Sequence, residues 1–385
     1  MPISIIFSFF LMITPTSAHA TDLNYFKNTY EESEQDFDRI FKQIKQKNPK
    51  SDVLEFQYSQ GTIKSYLIPA ATPENLLIMI SGTHGVEGFT GSAVQRNLLA
   101  QLPELKKTSV LMIHGFNLYG FKNKRRVNEH NIDLNRNFII DRKGFTSDDQ
   151  AYTGLNSFLN PNEAPSLNLF SRPLFVLRSV ANIAQHSMES LRRSILQGQY
   201  SVPQGIFYGG AQIEPQAGLI EAVIAEFIGK KYQKIFIVDL HTGYGERGRL
   251  HLMSGKSTDA NSIELLKIFE KSEIDFADAK NFYAVQGELL HYFINRLKIR
   301  SAFNTSGVTF EYGTLDSQKT FGSIESLRRM ILENQNFHFP ADSKTSTDIQ
   351  NMFVEMFYPS DPSWRSEVLR QSDEKMKKVF HYLEN

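Results

Sequence analysis

Cysteine is absent from the 385 residues. The fold therefore rests on its core without disulfides, and no cysteine can carry a lipid anchor. Charge of one sign is lacking too: 42 Lys and Arg stand against 42 Asp and Glu, a formal net charge of zero. No nucleic acid is expected as a partner, and an anionic membrane is not expected as the main one; Lys122 to Arg126 is at most a local basic patch. Long apolar runs are scarce. The run Ile3 to Ile13 is too short to span a bilayer, and with the small-residue end Ala18-His19-Ala20 it reads as a secretory signal cleaved after Ala20. A secreted or periplasmic bacterial protein with no stable membrane insertion is the expectation. Neither an internal repeat nor a low-complexity tract interrupts the rest, so residues 21–385 are read as a single domain.

What is present centres on Leu76 to Gly91, LLIMISGTHGVEGFTG. The run Leu76 to Ile80 predicts a buried strand, and Ser81-Gly82 breaks it into a glycine-rich loop carrying His84 and Glu87. At i and i+3, one turn of helix-like backbone points an imidazole and a carboxylate at a common point, which suits a metal ion. A catalytic zinc takes three protein ligands, so a second histidine must come from elsewhere. A second His-x-x-Glu, His186 and Glu189, reads as an ordinary polar helix face. The first pair differs in following a strand, with glycines around it that leave backbone open to a ligand.

In chain order, Phe37, Ile40, Phe41 and Ile44 predict an amphipathic helix over Tyr30 to Lys47. Val53 to Tyr58 and Ile63 to Ile68 read as a hairpin about Gln60-Gly61. After the central strand come a helix from about Ser92 to Leu102 and a strand, Ser109 to His114. The loop that follows, GFNLYGFKNKRRVNEHNIDLNRNF, is dense in Asn and Arg, which are costly to bury unless a ligand or partner uses them. From about 139 to 212 periodicity weakens, prolines punctuate, and a helix is expected between Val176 and Ile195; this is read as an insertion or lid. A helix from Gln216 to Ile228 leads to a strand, Ile235 to Val238, ending in Asp-Leu-His-Thr-Gly with His241. Leu250 to Met253 reads as a strand, Ser262 to Phe269 as a helix, and Val308 to Phe310 as a strand running into Glu311. Ile324 to Leu332 and Val368 to Leu383 read as covering helices.

Three strand ends thus offer chemistry: His84 with Glu87, His241, and Glu311. Two neutral histidines and a carboxylate bind zinc with one position open to water, whose pKa falls to about 7. Glu311 is then a free carboxylate able to take a proton and hand it to a leaving amine.

The ordered set HGVE at 84–87, RVNEHNIDLNRNF at 126–138, DLHTG at 239–243 and TFEYGT at 309–314 resembles the zinc carboxypeptidase superfamily. That superfamily includes carboxypeptidase A-like enzymes and the aspartoacylase and succinylglutamate desuccinylase deacylases. SGTHGVEGFTGSAVQ is most similar to a bacterial branch described as a domain of unknown function. The resemblance implies one zinc per chain on His84, Glu87 and His241, with Glu311 as general base. It implies that Asn135 and Arg136 hold a substrate carboxylate, as a guanidinium fork does well. Arg126 matches the arginine that polarises the scissile carbonyl, with Arg125 as the competing position. Asp133 matches the acid that orients the first zinc histidine. Tyr283 resembles a mobile substrate tyrosine, with Tyr292 as the alternative, and Glu214-Pro215 matches a turn given only a structural role.

Two departures concern the substrate. Asn117-Leu118-Tyr119-Gly120 stands where the peptidases show Asn-Pro-Asp-Gly, and the glycines of HGVEG suggest a roomier metal loop. The fold expected is a three-layer α/β/α architecture with a central mixed, mainly parallel sheet and ligands at strand C-terminal ends. Three functions follow: a zinc metallocarboxypeptidase cleaving peptides beside a free carboxylate; an N-acyl amino acid deacylase; and a binding protein of the same fold without turnover. Oligomeric state is not read from the sequence.

Overall fold

In the computed structural model, residues 23–139, 141, 145, 150–186, 197–229, 231–277, 286–300 and 304–385 are described. The expected signal at 1–20, Tyr283, Glu189 and the end of the helix expected to reach Ile195 lie outside them.

One eight-stranded sheet organises the chain, in the order β1-β2-β4-β3-β5-β8-β6-β7. β1 (Asp52–Tyr58) and β2 (Gly61–Ile68) form the expected hairpin at one edge. β4 (Thr108–His114), β3 (Asn75–Ser81), β5 (Lys234–Gly243) and β8 (Asn304–Gly313) run parallel through the centre. β6 (Leu250–Ser254) is antiparallel to β8, and the short β7 (Ile274–Phe276) closes the far edge. The parallel centre is buried on both faces along nearly all its length, as such sheets are: Leu76 to Ile80 and Val110 to Ile113 have no exposed surface.

Two helical layers cover the sheet. Gly91 of helix Gly88–Ala100 lies over Ser81 and Leu240, whereas Leu290 of helix Leu289–Arg300 meets Ile237 and Gly307, which point the other way. Helices Tyr30–Lys47 and Pro362–Glu384 join the first layer. The former is started by a capping box of Thr29 and Glu32, and it buries Phe37, Ile40 and Phe41 as its spacing predicts. Helix Gln216–Val223 joins the second layer, tied to Leu289–Arg300 by Glu221–Arg296 at 2.6 Å. The three-layer, mainly parallel architecture is as expected.

A second apolar cluster forms away from the sheet. Tyr152, Leu155 and Leu159 of the 139–212 segment meet Met330, Ile331, Phe353, Met356 and Phe357, from helices Thr320–His338 and Ser343–Phe357. Among the described residues, no helix is long and apolar enough to cross a membrane.

Candidate active site

β3 ends at Ser81, and Gly82, at φ +75°, turns the chain so that His84 caps a single 3-10 turn, Gly85–Glu87. His84 and Glu87 therefore share one side of that turn. Contrary to the expectation of a roomy loop, the HGVEG glycines serve packing. A Cβ on Gly85 would lie 2.1 Å from the Gly120 carbonyl carbon, and one on Gly88 would strike the Phe121 ring. β5 and β8 continue beyond their apolar runs as strands, and their parallel register sets His241 directly beside Glu311.

Among the described residues, His84, Glu87 and His241 are the one group of three able to hold a metal ion, and all three are buried. His84 Nδ1 lies 2.9 Å from Glu87 Oε1, His241 Nδ1 lies 3.0 Å from Glu87 Oε2, and the two Nδ1 atoms are 3.1 Å apart. Zinc bonds of about 2.0–2.1 Å in a tetrahedron hold ligand atoms roughly 3.3 Å apart, so the two Nδ1 atoms suit two corners of one such set, and Glu87 turns a different oxygen to each of them. The outer nitrogens are held as well. His84 Nε2 is 3.1 Å from Asp133 Oδ1, and His241 Nε2 is 2.8 Å from Asp239 Oδ2, whose other oxygen accepts from Thr83 Oγ1 at 2.9 Å. A carboxylate behind each imidazole fixes its Nδ1 toward the shared centre. Asp239 is a residue that sequence reasoning missed; its signal was the Asp-x-His spacing, which puts both side chains on one face of β5.

The charges are strongly coupled. Burial disfavours ionised Glu87, but His84 and His241 hold its carboxyl well below the usual range. Burial likewise opposes ionisation of Asp133, and Arg126, His84 and Arg136 overcome it. His241 is raised well above an ordinary imidazole because Asp239 and Glu87 outweigh its desolvation. Glu311 goes the other way: burial and the Glu87 charge push its carboxyl up to about 8. One oxygen accepts from Tyr244 N–H at 2.8 Å, which aims the group.

Arg126 spans the centre's edge, donating from Nη1 to Glu87 Oε1 at 2.9 Å and from Nε to Asp133 Oδ2 at 3.1 Å. The competing Arg125 is buried elsewhere, paired to Glu333 at 2.6 Å and stacked 3.5 Å from the Phe337 ring. Asn135 accepts from Leu289 N–H at 2.9 Å, and Arg136 follows it on the 3-10 turn Leu134–Arg136. Tyr292, on helix Leu289–Arg300, packs on Phe138 and does not line the cavity. Glu214 ties down the Asn-rich loop, accepting from Asn128 at 2.7 Å.

These groups open into a cavity of about 280 Å³. Its polar floor comprises His84, Glu87, His241, Glu311, Arg126, Asn135 and Arg136. Its roof includes Leu155, Phe158, Leu159, Ile183, Leu327 and Met330. Glu288 also lines it, and sequence reasoning missed this residue too. Burial and the nearby Asp239 raise its carboxyl, and Gly287 beside it touches the Arg136 backbone.

No curated protein sequence matches the chain. Among solved structures, it is similar to bovine thrombin-activatable fibrinolysis inhibitor in complex with tick carboxypeptidase inhibitor (12% identity, 90% of this chain and 99% of that one, TM-score 0.46). It is similar also to carboxypeptidase A from Helicoverpa armigera (15%, 88% and 76%, TM-score 0.42). A third likeness is to an aspartoacylase family protein from Mesorhizobium loti (10%, 75% and 66%, TM-score 0.36). The family model described as "Protein of unknown function (DUF2817)" matches residues 26–371, and the chain belongs to that family.

Proposed function

We propose that the chain is a zinc-dependent hydrolase of amide bonds next to a free carboxylate, acting on peptides as a metallocarboxypeptidase. The observation that carries this reading is the pair of imidazole Nδ1 atoms converging with Glu87, each imidazole backed by a carboxylate, beside the buried carboxyl of Glu311. His84, Glu87 and His241 would hold the ion. When bound, it supplies a Lewis acid that polarises an amide carbonyl and lowers the pKa of water to about 7.

The chain's own residues do the rest. Glu311, aimed by Tyr244 N–H, takes a proton from the attacking water and returns it to the leaving nitrogen. Arg126, held by Glu87 and Asp133, keeps a fixed positive charge at the edge of the floor, where an oxyanion develops. Asn135 and Arg136 receive the substrate carboxylate. Leu155, Phe158, Leu159, Ile183 and Phe207 give the site an apolar wall.

The apolar roof favours a second reading, an N-acyl amino acid deacylase whose acyl chain occupies the space under Leu155, Phe158 and Leu327. A panel of dipeptides, N-acyl amino acids and the same compounds with amidated C-termini separates these. Turnover of either free acid and loss on amidation is the expected result. Bound zinc with no turnover of any amide would leave a binding protein. Export through the N-terminal leader is proposed with this reading, and N-terminal sequencing of the mature chain would find Thr21 first.

A further inference from the structure

Helix Ser171–His186 turns apolar residues in two directions. Inward, Ser179, Asn182 and Ile183 line the cavity, and Phe175 stacks on Phe158 with centroids 5.2 Å apart. Outward, Leu174, Leu177 and Val180 continue a stripe begun by Leu169 and Phe170; Leu169 is 84% exposed, Phe170 73% and Leu177 66%. Phe321, 80% exposed, extends it on the neighbouring helix, one turn before Glu325, which pairs with Arg172 at 3.3 Å. Scattered apolar residues on a surface mean little, but a contiguous set marks something that covers it.

The charges near this stripe indicate what. From Ala164 to Met188 there is no acidic residue, and the two charged ones are Arg172 and Arg178. Leu and Phe with arginine and no acid is the composition of a helix that lies on a lipid surface. A second copy of this face would bring only apolar side chains and further arginines, with no acid from 164–188 to pair them. Headgroup phosphates would set Arg178 against opposite charge, Arg172 being already paired with Glu325.

We propose that the Leu169–Val180 face rests on a lipid surface containing anionic headgroups, and that the chain draws amide substrates bearing an apolar chain from that surface into the cavity on the helix's other side. With the whole chain neutral, apolar burial is the main term and Arg178 sets the preference for charge. The surface contact does not depend on catalysis; the delivery step rests on the hydrolase reading.

The test is co-sedimentation of the full chain with vesicles of phosphatidylglycerol and phosphatidylethanolamine, or of phosphatidylcholine alone. Binding to the anionic vesicles is expected, weaker to the neutral ones, and reduced about tenfold or more by combined Phe170→Ser, Leu174→Ser and Leu177→Ser. Thermal melting of that variant should match the wild type, because the three side chains face outward. Glu311→Gln should bind vesicles as the wild type does, which separates this surface from the catalytic reading. Vesicle-embedded N-acyl amino acids should be cleaved more slowly by the triple variant, with soluble ones unaffected. No wild-type binding to either vesicle, or undiminished binding by the triple variant, would overturn the proposal. So would a wild-type dimer in sedimentation velocity that the same substitutions dissociate.

Discussion

The floor and the roof of the cavity are built on opposite terms. On the floor nearly every buried polar atom answers another: His84 to Asp133, His241 to Asp239, Arg126 to Glu87 and Asp133. Leaving one such buried group unpaired costs on the order of 1–3 kcal/mol, more if it is charged, so the floor tolerates little change. The roof is Leu, Ile, Phe and Met from residues 155–183, Phe207 and helices Thr320–His338 and Ser343–Phe357, where volume matters and direction does not. On the proposed reading, chemistry and choice of substrate sit on separate parts of the molecule and should respond to mutation separately.

The largest expected effect tests the floor. Combined His84→Ala and His241→Ala should abolish both zinc and turnover; elemental analysis of purified protein would find about one zinc per chain in the wild type and none in the variant. Glu311→Gln should keep the zinc and lose roughly a hundred- to ten-thousand-fold in kcat, in a single-turnover assay. Equal loss of zinc in that variant would make Glu311 a ligand instead. Asp133→Asn and Asp239→Asn should each weaken zinc by about 10- to 100-fold in a chelator competition, because each loosens one imidazole. On the roof, Phe158→Ala should leave zinc content unchanged while altering the ranking of substrates by chain length. A parallel loss of activity on all substrates would erase the contrast between floor and roof.

Much of the floor could be read in the sequence because its residues sit where strands end. The run Leu76 to Ile80 can only be a buried strand, and Gly82 must end it, so His84 and Glu87 arrive at the sheet's C-terminal edge. β5 and β8 were expected to stop at Val238 and Phe310, yet they run on through Gly243 and Gly313. Periodicity misses these ends because Asp239, His241 and Glu311 are polar residues kept in strand by partners that only the fold supplies, such as Thr83. Glu288 was hidden for a related reason, since its position follows from Gly287 packing on Arg136, a contact distant in sequence. The roof was less legible still. Helices Leu289–Arg300 and Ser343–Phe357 were not anticipated, and nothing local in residues 150–207 tells which apolar side chains face the cavity.

The smallest expected effect concerns protons, and it again divides floor from roof. Without metal, burial and the Glu87 charge push the Glu311 carboxyl up to about 8 from an ordinary 4.5, so its protonated form favours the folded state. That contribution is complete below about pH 4.5 and is lost as pH rises through 8. His241, also raised, adds stability that is complete below about 6.5 and fades upward as well. The depressed Glu87 and Asp133 act at the acid end and leave this window alone. Metal-free protein should therefore lose thermal stability as pH rises from about 5 through 8, and Glu311→Gln should flatten part of that slope, whereas Phe158→Ala should shift the curve without changing its shape. Zinc added at pH 7 should displace these protons, seen as a dependence of binding enthalpy on buffer ionisation in calorimetry. An enthalpy independent of buffer would mean that the floor is already deprotonated, and the carboxylate beside the metal would be an ordinary one.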